Sequence, residues 1–237
     1  MPLDVSTPLI PKSPLVRTSL WFVLVAFGCL LFADIEITTQ DPWPEIKRLG
    51  MGLIQPNFAK WEQILEALMM TLAFAILGVA LANFTGFLLA VVFHYRAVRV
   101  GCAFVRAVHE LFWALIFLQV FGLTALTGVL AIAIPYSGIC AKVYAELLEE
   151  ADPAPMQAIP NGTSIVSMFF YAKLPGVWAN VKTYSFYRLE CGLRSSAVLG
   201  FVGLPTLGFY LETAYKEGLY SDLSALLIVF YVLISTV

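Results

Sequence analysis

Residues 149–175 read EEADPAPMQAIPNGTSIVSMFFYAKLP and form a polar interval between two long hydrophobic segments. Asp152, followed by proline, is typical of a helix start. A carboxylate accepts hydrogen bonds from the first backbone amides of a helix, and proline has no N–H that would need an acceptor there. Gly162, after Pro-Asn, resists helix continuation. Thr163 or Ser164 can then cap a second helix. The stretch therefore predicts a short helix, a glycine turn and another helix, presented between two membrane spans.

The composition is that of an integral membrane protein. Of 237 residues, 60% are hydrophobic and 13% are charged, whereas soluble domains average about 25% charged residues. The mean hydropathy is +0.84. The sequence lacks the pattern GxxxxGKS/T, so we expect no P-loop ATP site. The four cysteines form no CxxC pair and there are only two histidines, which argues against a metal site.

Six hydrophobic segments predict an all-α polytopic membrane protein with about six transmembrane helices. Residues 1–18 are rich in proline and predict a loose cytoplasmic tail, whereas residues 19–237 form the membrane domain. The predicted spans, joined by polar connections, cover residues 19–33, 64–93, 110–121, 129–145, 175–200 and 223–237. The sixth is 15 residues long, and a span needs about 20, so we expect a truncated product or a fragment of a longer chain.

The orientation follows from the positive charges between the second and third spans. Arg96, Arg99 and Arg106 lie in a stretch predicted as a short loop, and such clusters stay in the cytoplasm. Counting spans from there predicts a cytoplasmic N-terminus and a cytoplasmic loop at 149–175.

The second span carries small residues at a regular spacing. Gly78, Ala82, Gly86 and Ala90 recur every four residues and so share one stripe of a helix. Small side chains let a neighbouring helix approach closely, so the stripe predicts a packing face.

The fifth span is unusual because it contains four ionisable residues. They are Lys182, Arg188, Glu190 and Arg194. Charges at membrane depth are costly and face a cavity or one another. This span is therefore predicted to line an aqueous path, and its excess of cations suits an anionic substrate.

Spacing suggests partners for some of these charges. Glu190 and Arg194 are four residues apart and predict an ion pair on one helix face. Arg106 and Glu110 have the same spacing at the entry to the third span. Arg188 points elsewhere and has two open interpretations: it lines the translocation path, or it is structural, with Glu110 as the available buried acid.

The polar interval resembles the "EAA" loop of ABC importer permeases, which has Glu-Ala-Ala, three residues, Gly, nine residues and Ile-x-Leu-Pro. Here the final part reads Ala172-Lys173-Leu174-Pro175, and Met156 replaces the signature glutamate. In that family the loop is the coupling helix that docks into the ATPase subunit. The resemblance implies that coupling involves Glu149, Glu150, Met156, Gln157, Ala158 and Gly162.

A second set of motifs is similar to the phosphonate permease family. Tyr187-Arg188-Leu189-Glu190, followed by Arg194-Ser195-Ser196, matches its Tyr-Arg-Phe-Glu and Arg-Ser-Ala patterns. Downstream, Leu204-Pro205-Thr206-Leu207-Gly208 stands where that family has Ala-Gly-Gly-Ile-Gly. The resemblance places an outer gate at Gly200, Gly203, Pro205 and Gly208.

The resemblance implies a type I ABC importer permease (MetI-like) fold in the bacterial inner membrane. The substrate would be a phosphonate or a related phosphorus oxyanion, phosphite or hypophosphite. The implied partners are a second permease copy, ABC ATPase subunits that hold ATP and Mg, a periplasmic substrate-binding protein and the lipid bilayer. Neither a cofactor in this chain nor a nucleic-acid partner is implied, and the chain is a transport subunit, not an enzyme.

Three other functions remain as alternatives. The first is an ABC permease for another small solute, such as methionine or another amino acid. A membrane-embedded enzyme ranks lower, because His109-Glu110 is the only neighbouring His-acid pair. An ATP-independent secondary transporter is disfavoured, because the chain shows no internal repeat and contains the coupling-type loop.

Overall fold

The structure is a computed structural model that describes residues 14–32, 42–157, 159 and 163–236. These residues form helices and connections, with no strand among them. The chain divides into two compact units, Met1–Ile46 and Lys47–Val237. Helix α1 (Pro14–Phe32) lies in the first unit and begins inside the predicted tail. The all-α architecture predicted from the sequence is confirmed.

The remaining helices follow in chain order. They are α2 (Pro42–Ile54), α3 (Trp61–Val91), α4 (Arg96–Ala107), α5 (Glu110–Phe121), α6 (Ala125–Glu149), α7 (Ala154–Gln157), α8 (Ile165–Met168), α9 (Leu174–Val198), α10 (Leu207–Lys216) and α11 (Tyr220–Thr236). A π-helical turn, Phe169–Lys173, precedes α9, and a 3₁₀ turn, Leu199–Val202, follows it. Helices α2, α4 and α10 occupy stretches predicted as connections between spans. In particular, the three arginines predicted in a loop lie on α4.

Three of the described helices are long and apolar enough to cross a membrane: α1, α3 and α6. Two further spans arise if each bent helix pair counts as one. Helices α4 and α5 meet at 92°, and the segment 166–202 meets α10 at 49°. The apolar helix α11, at the predicted sixth span, has 17 residues.

Helix α6 forms the centre of the second unit, with α3, α4, α5 and α9 packed against it. The predicted small-residue stripe of α3 is buried against α6. A Cβ added to Gly86 would lie 2.6 Å from the Cβ of Cys140, and one added to Gly78 would lie 2.9 Å from the Cβ of Ile132. Both positions therefore need glycine because the two backbones approach so closely. The predicted packing face is confirmed.

The bend between α4 and α5 overturns one predicted pair. Val108 and His109 have extended backbones, with ψ of 126° and 145°, so the helix stops between Arg106 and Glu110. The His109 side chain instead caps α5 by accepting a hydrogen bond from the amide of Leu111 at 3.3 Å. Residues four apart share a face only within one helix. The predicted Arg106–Glu110 pair is wrong for this reason.

A sharp turn joins α9 to α10 at the residues where the resemblance places an outer gate. Gly203 has a left-handed φ of 98°, which favours glycine. The end of α9 and the start of α10 then cross at close range. A Cβ added to Gly208 would collide with the carbonyl oxygen of Ala197, and one added to Gly200 would collide with the amide of Phe209. The turn is therefore tightly packed against the end of α9.

Candidate functional site

Arg188, on α9, lies among three tyrosine rings. Its Nε and Nη2 both donate to the phenol oxygen of Tyr184, at 2.7 Å and 2.5 Å. Its Cζ lies 5.0 Å from the ring centroid of Tyr184, 5.4 Å from that of Tyr187 and 5.7 Å from that of Tyr136 on α6. We call this group of four residues the arginine cage. Ring faces attract a guanidinium, so the cage holds the cation without a carboxylate.

The acid predicted as a structural partner of Arg188 has another partner. Glu110 accepts a hydrogen bond from Ser195 Oγ at 2.7 Å, and the hydroxyl of Tyr136 lies 2.8 Å from the same Oγ. Since Ser195 gives its only proton to Glu110, Tyr136 must donate to Ser195. Glu110 also lies 3.7 Å from His109 Nε2. This chain joins α5, α9 and α6 without an Arg188–Glu110 ion pair.

Glu190 and Arg194 form the predicted ion pair one turn apart on α9. Their side chains are 33% and 57% exposed, so the pair is not enclosed within this chain. With Glu190 bonded to Arg194 and Glu110 to Ser195, Arg188 has no ion-pair partner among the described residues. The structure thus places Glu190 and Arg194 in an ion pair, Glu110 in a hydrogen bond with Ser195, and Arg188 beside phenol groups without a carboxylate partner.

A second polar cluster, on the buried sides of α3, α6 and α9, was not predicted. The Asn83 side-chain oxygen accepts from Tyr144 at 2.9 Å and from Cys140 Sγ at 3.3 Å, and Tyr144 also contacts Ser185 Oγ at 2.7 Å. The available signal was a lone asparagine inside an apolar helix, since buried amides need partners. Lys182 lines a neighbouring groove of about 220 Å³ between α3 and α9.

The predicted coupling loop contains α7 and α8, as expected from the helix–turn–helix pattern. Asp152 caps α7 by accepting the amide of Ala154 at 2.9 Å. Glu149, Glu150 and Gln157 are exposed. Ala158 and Gly162, with the Met156 side chain, lie outside what the structure describes. Beyond them the loop exposes three large apolar side chains: Val166 (64%), Phe170 (53%) and Tyr171 (83%).

The start of α11 is tied to the start of α3. Asp222 accepts hydrogen bonds from Asn57 Nδ2 at 2.8 Å and from Lys60 Nζ at 2.9 Å. The backbone amide of Asn57 donates to the carbonyl of Ser221 at 2.9 Å. The carboxylate of Asp222 and its charge raise the pKa of Lys60 above its ordinary value of 10.5. We call these contacts the α3–α11 latch.

Metal coordination has no candidate site in residues 14–32, 42–157, 159 and 163–236, where no three potential ligands cluster. In the His109–Glu110 contact, His109 caps the start of α5 and Glu110 accepts the hydrogen bond from Ser195.

Comparison with known proteins gives the family. No family model matches the chain. Over 232 residues it is 29% identical to the phosphite transport system permease protein PtxC of Stutzerimonas stutzeri, covering 93% of this chain and 84% of that protein. Over 107 residues it is 31% identical to the putative cryptic phosphonate transport system permease protein PhnE2 of Escherichia coli K12, covering 45% of this chain and 88% of that protein. The chain belongs to the phosphonate-type ABC permease family.

The fold of this permease agrees with that assignment. A solved structure described as an amino acid ABC transporter with histidines superposes with a TM-score of 0.65, over 84% of this chain and 94% of that chain. The sequence identity is 18%, so this likeness concerns the fold alone. The permease is therefore a multi-pass membrane protein and a transport subunit. Membership of the family implies ATPase and binding-protein components as partners.

Proposed function

We propose that the chain is the transmembrane subunit of an importer for phosphorus oxyanions, phosphite or phosphonates. The observation that carries this proposal is the similarity to a phosphite transport permease along 93% of the chain. Two cations of α9 support it, because Lys182 and Arg188 have no ion-pair partner among the described residues and unpaired positive charge in a span suits an anionic cargo. The amino-acid alternative gains no support from these relatives, whose names refer to phosphite and phosphonate.

The working assembly would contain two permease copies, two ABC ATPases that bind ATP and Mg, and a periplasmic binding protein in the inner membrane. A second copy is supported by the exposed charges of α9. Glu190 and Arg194 are at span depth and only partly covered by their own chain, so they require water or protein around them. A path between two copies of α9 satisfies that requirement, with no cofactor held by this chain.

Coupling to the ATPase would occur through the loop at 149–175. Its exposed acidic and apolar side chains are suited to docking in a groove of a partner protein. We expect Gly162→Val and Ala158→Asp to abolish transport and stimulated ATPase activity while the permease stays in the membrane. Unchanged ATPase stimulation in both variants would remove the coupling role.

Uptake by cells tests the function directly. A strain that lacks its own phosphite and phosphonate importers would express the permease together with its ATPase and its periplasmic binding protein. Phosphite or methylphosphonate uptake that depends on this chain is the expected result. Co-purification of an ATPase with the tagged permease checks the partner. An active complex that imports only amino acids would overturn the proposal in favour of the alternative.

A further inference from the structure

We propose that the arginine cage is an oxyanion-binding site that the substrate occupies during transport. This inference rests on the proposed function and identifies the group that binds the cargo. It starts from the hydrogen-bonding capacity of Arg188. A guanidinium has five N–H donors. In Arg188 two of them donate to the phenol oxygen of Tyr184. Within the described residues, the other three find no acceptor.

The charge of Arg188 is likewise available. The two acids that could neutralise it have other partners, since Glu190 is paired with Arg194 and Glu110 accepts from Ser195. The three side chains that surround the guanidinium are phenols and not carboxylates. A half-buried cation with free donors inside a membrane protein is costly unless a ligand or water satisfies it. An anion that moves past α9 would therefore gain from binding there.

The shape of the cage indicates how such a ligand binds. The rings of Tyr136, Tyr184 and Tyr187 lie against the guanidinium, and Tyr184 takes its Nε side. Because Nε and one Nη2 proton are directed at Tyr184, the remaining donors lie along the Nη edge of the guanidinium. Two parallel hydrogen bonds from this edge match two oxygens of one tetrahedral phosphorus centre. Phosphite and phosphonates share that pair of oxygens and carry a hydrogen or carbon substituent that can face the rings.

Tyr184 is a positioning residue in this arrangement. Its phenol oxygen fixes the guanidinium by two hydrogen bonds from the previous turn of the same helix. Removing this oxygen while keeping the ring would leave the charge of Arg188 in place. Its guanidinium, whose two parallel N–H donors form a fork, would then be free to rotate. The half-saturating substrate concentration should then rise, whereas the maximal transport rate should change little.

Phosphite uptake by the whole complex tests the site through four variants. Arg188→Gln should reduce uptake at least about tenfold, the scale of losing a charge-assisted pair of hydrogen bonds. Arg188→Lys keeps the charge but not the fork, so we expect a raised half-saturating concentration. Tyr184→Phe should raise it with the maximal rate nearly unchanged. Lys142→Gln on α6 is the matched control: this cation is paired with Glu146 one turn away and should leave uptake unchanged.

The outcomes separate this inference from the function on which it rests. Absence of phosphite and phosphonate uptake by the unmodified complex would remove the proposed function. Full uptake by a stably assembled Arg188→Gln complex, beside an active unmodified complex, would overturn the oxyanion site alone. If Arg188→Gln fails to assemble, Arg188→Lys decides: kinetics identical to the unmodified protein would overturn the site, because the fork would then be unnecessary.

Discussion

Ser195 on α9 donates its hydroxyl proton to Glu110 on α5 across 2.7 Å, although 85 residues separate them in sequence. The same serine oxygen accepts from Tyr136 on α6, so three helices meet at one hydroxyl group. Because the Glu110 side chain is only 17% exposed, this hydrogen bond replaces water that the carboxylate would otherwise bind.

The first prediction concerns that hydroxyl. Ser195→Ala leaves both Glu110 and Tyr136 without their partner, and should lower the free energy of unfolding by about 1–3 kcal/mol. Thermal unfolding of the purified permease in detergent measures the change. Ser196→Ala is the control, since the fully buried Ser196 donates only to the carbonyl of Leu193, one turn away. An equal loss in both variants would show that the bond to Glu110 adds nothing.

A second prediction concerns the Glu190–Arg194 pair. Because the two side chains are 33% and 57% exposed, their coupling free energy should be about 1 kcal/mol or less. A double-mutant cycle with Glu190→Gln, Arg194→Gln and the double variant, followed by thermal unfolding, gives that value. A coupling near the roughly 3–5 kcal/mol loss that follows removal of one partner of a buried pair would contradict an open, hydrated setting.

A third prediction concerns the contact between α3 and α6. Gly86→Ala would place a Cβ 2.6 Å from that of Cys140 and 3.0 Å from the carbonyl oxygen of Ser137. The helices would have to separate, so we expect a destabilisation of about 1–3 kcal/mol. Gly101→Ala on α4 is the matched control, because nothing lies within 4 Å of its added Cβ. That substitution should stabilise the permease slightly through helix propensity. A neutral Gly86→Ala would argue against the close approach.

The fourth prediction concerns pH and the α3–α11 latch. The contact with Asp222 raises the pKa of Lys60 above 10.5, so its stabilising effect is complete below that pH. The effect is lost as the pH rises through the higher, folded-state pKa. The difference in Tm between the unmodified permease and Asp222→Asn should therefore be constant at neutral pH and shrink above about pH 10.5. A difference that persists undiminished to about pH 12 would exclude the Lys60 contact as its source.

Local patterns in the sequence predicted those features that depend on one helix. The four-residue spacing of small residues identified the α3 face, and Asp152 identified the start of α7. The Arg106–Glu110 pair was wrong because the intervening backbone leaves the helix, which spacing alone does not reveal. The sequence identified Arg188 but not the three tyrosines that surround it in the arginine cage. Tyr184 and Tyr187 are near Arg188 on α9, but Tyr136 comes from a helix 52 residues earlier, so only tertiary packing brings it there.

The crossing at the end of α9 has a mechanical consequence. Gly200 and Gly208, where the resemblance places an outer gate, each lie directly against the backbone of the opposite segment. This contact couples α9 and α10 mechanically, because neither helix can change its angle to the other without breaking it. A displacement of α9 at its 149–175 end would therefore be transmitted to α10, and the two helices would move as one rigid body.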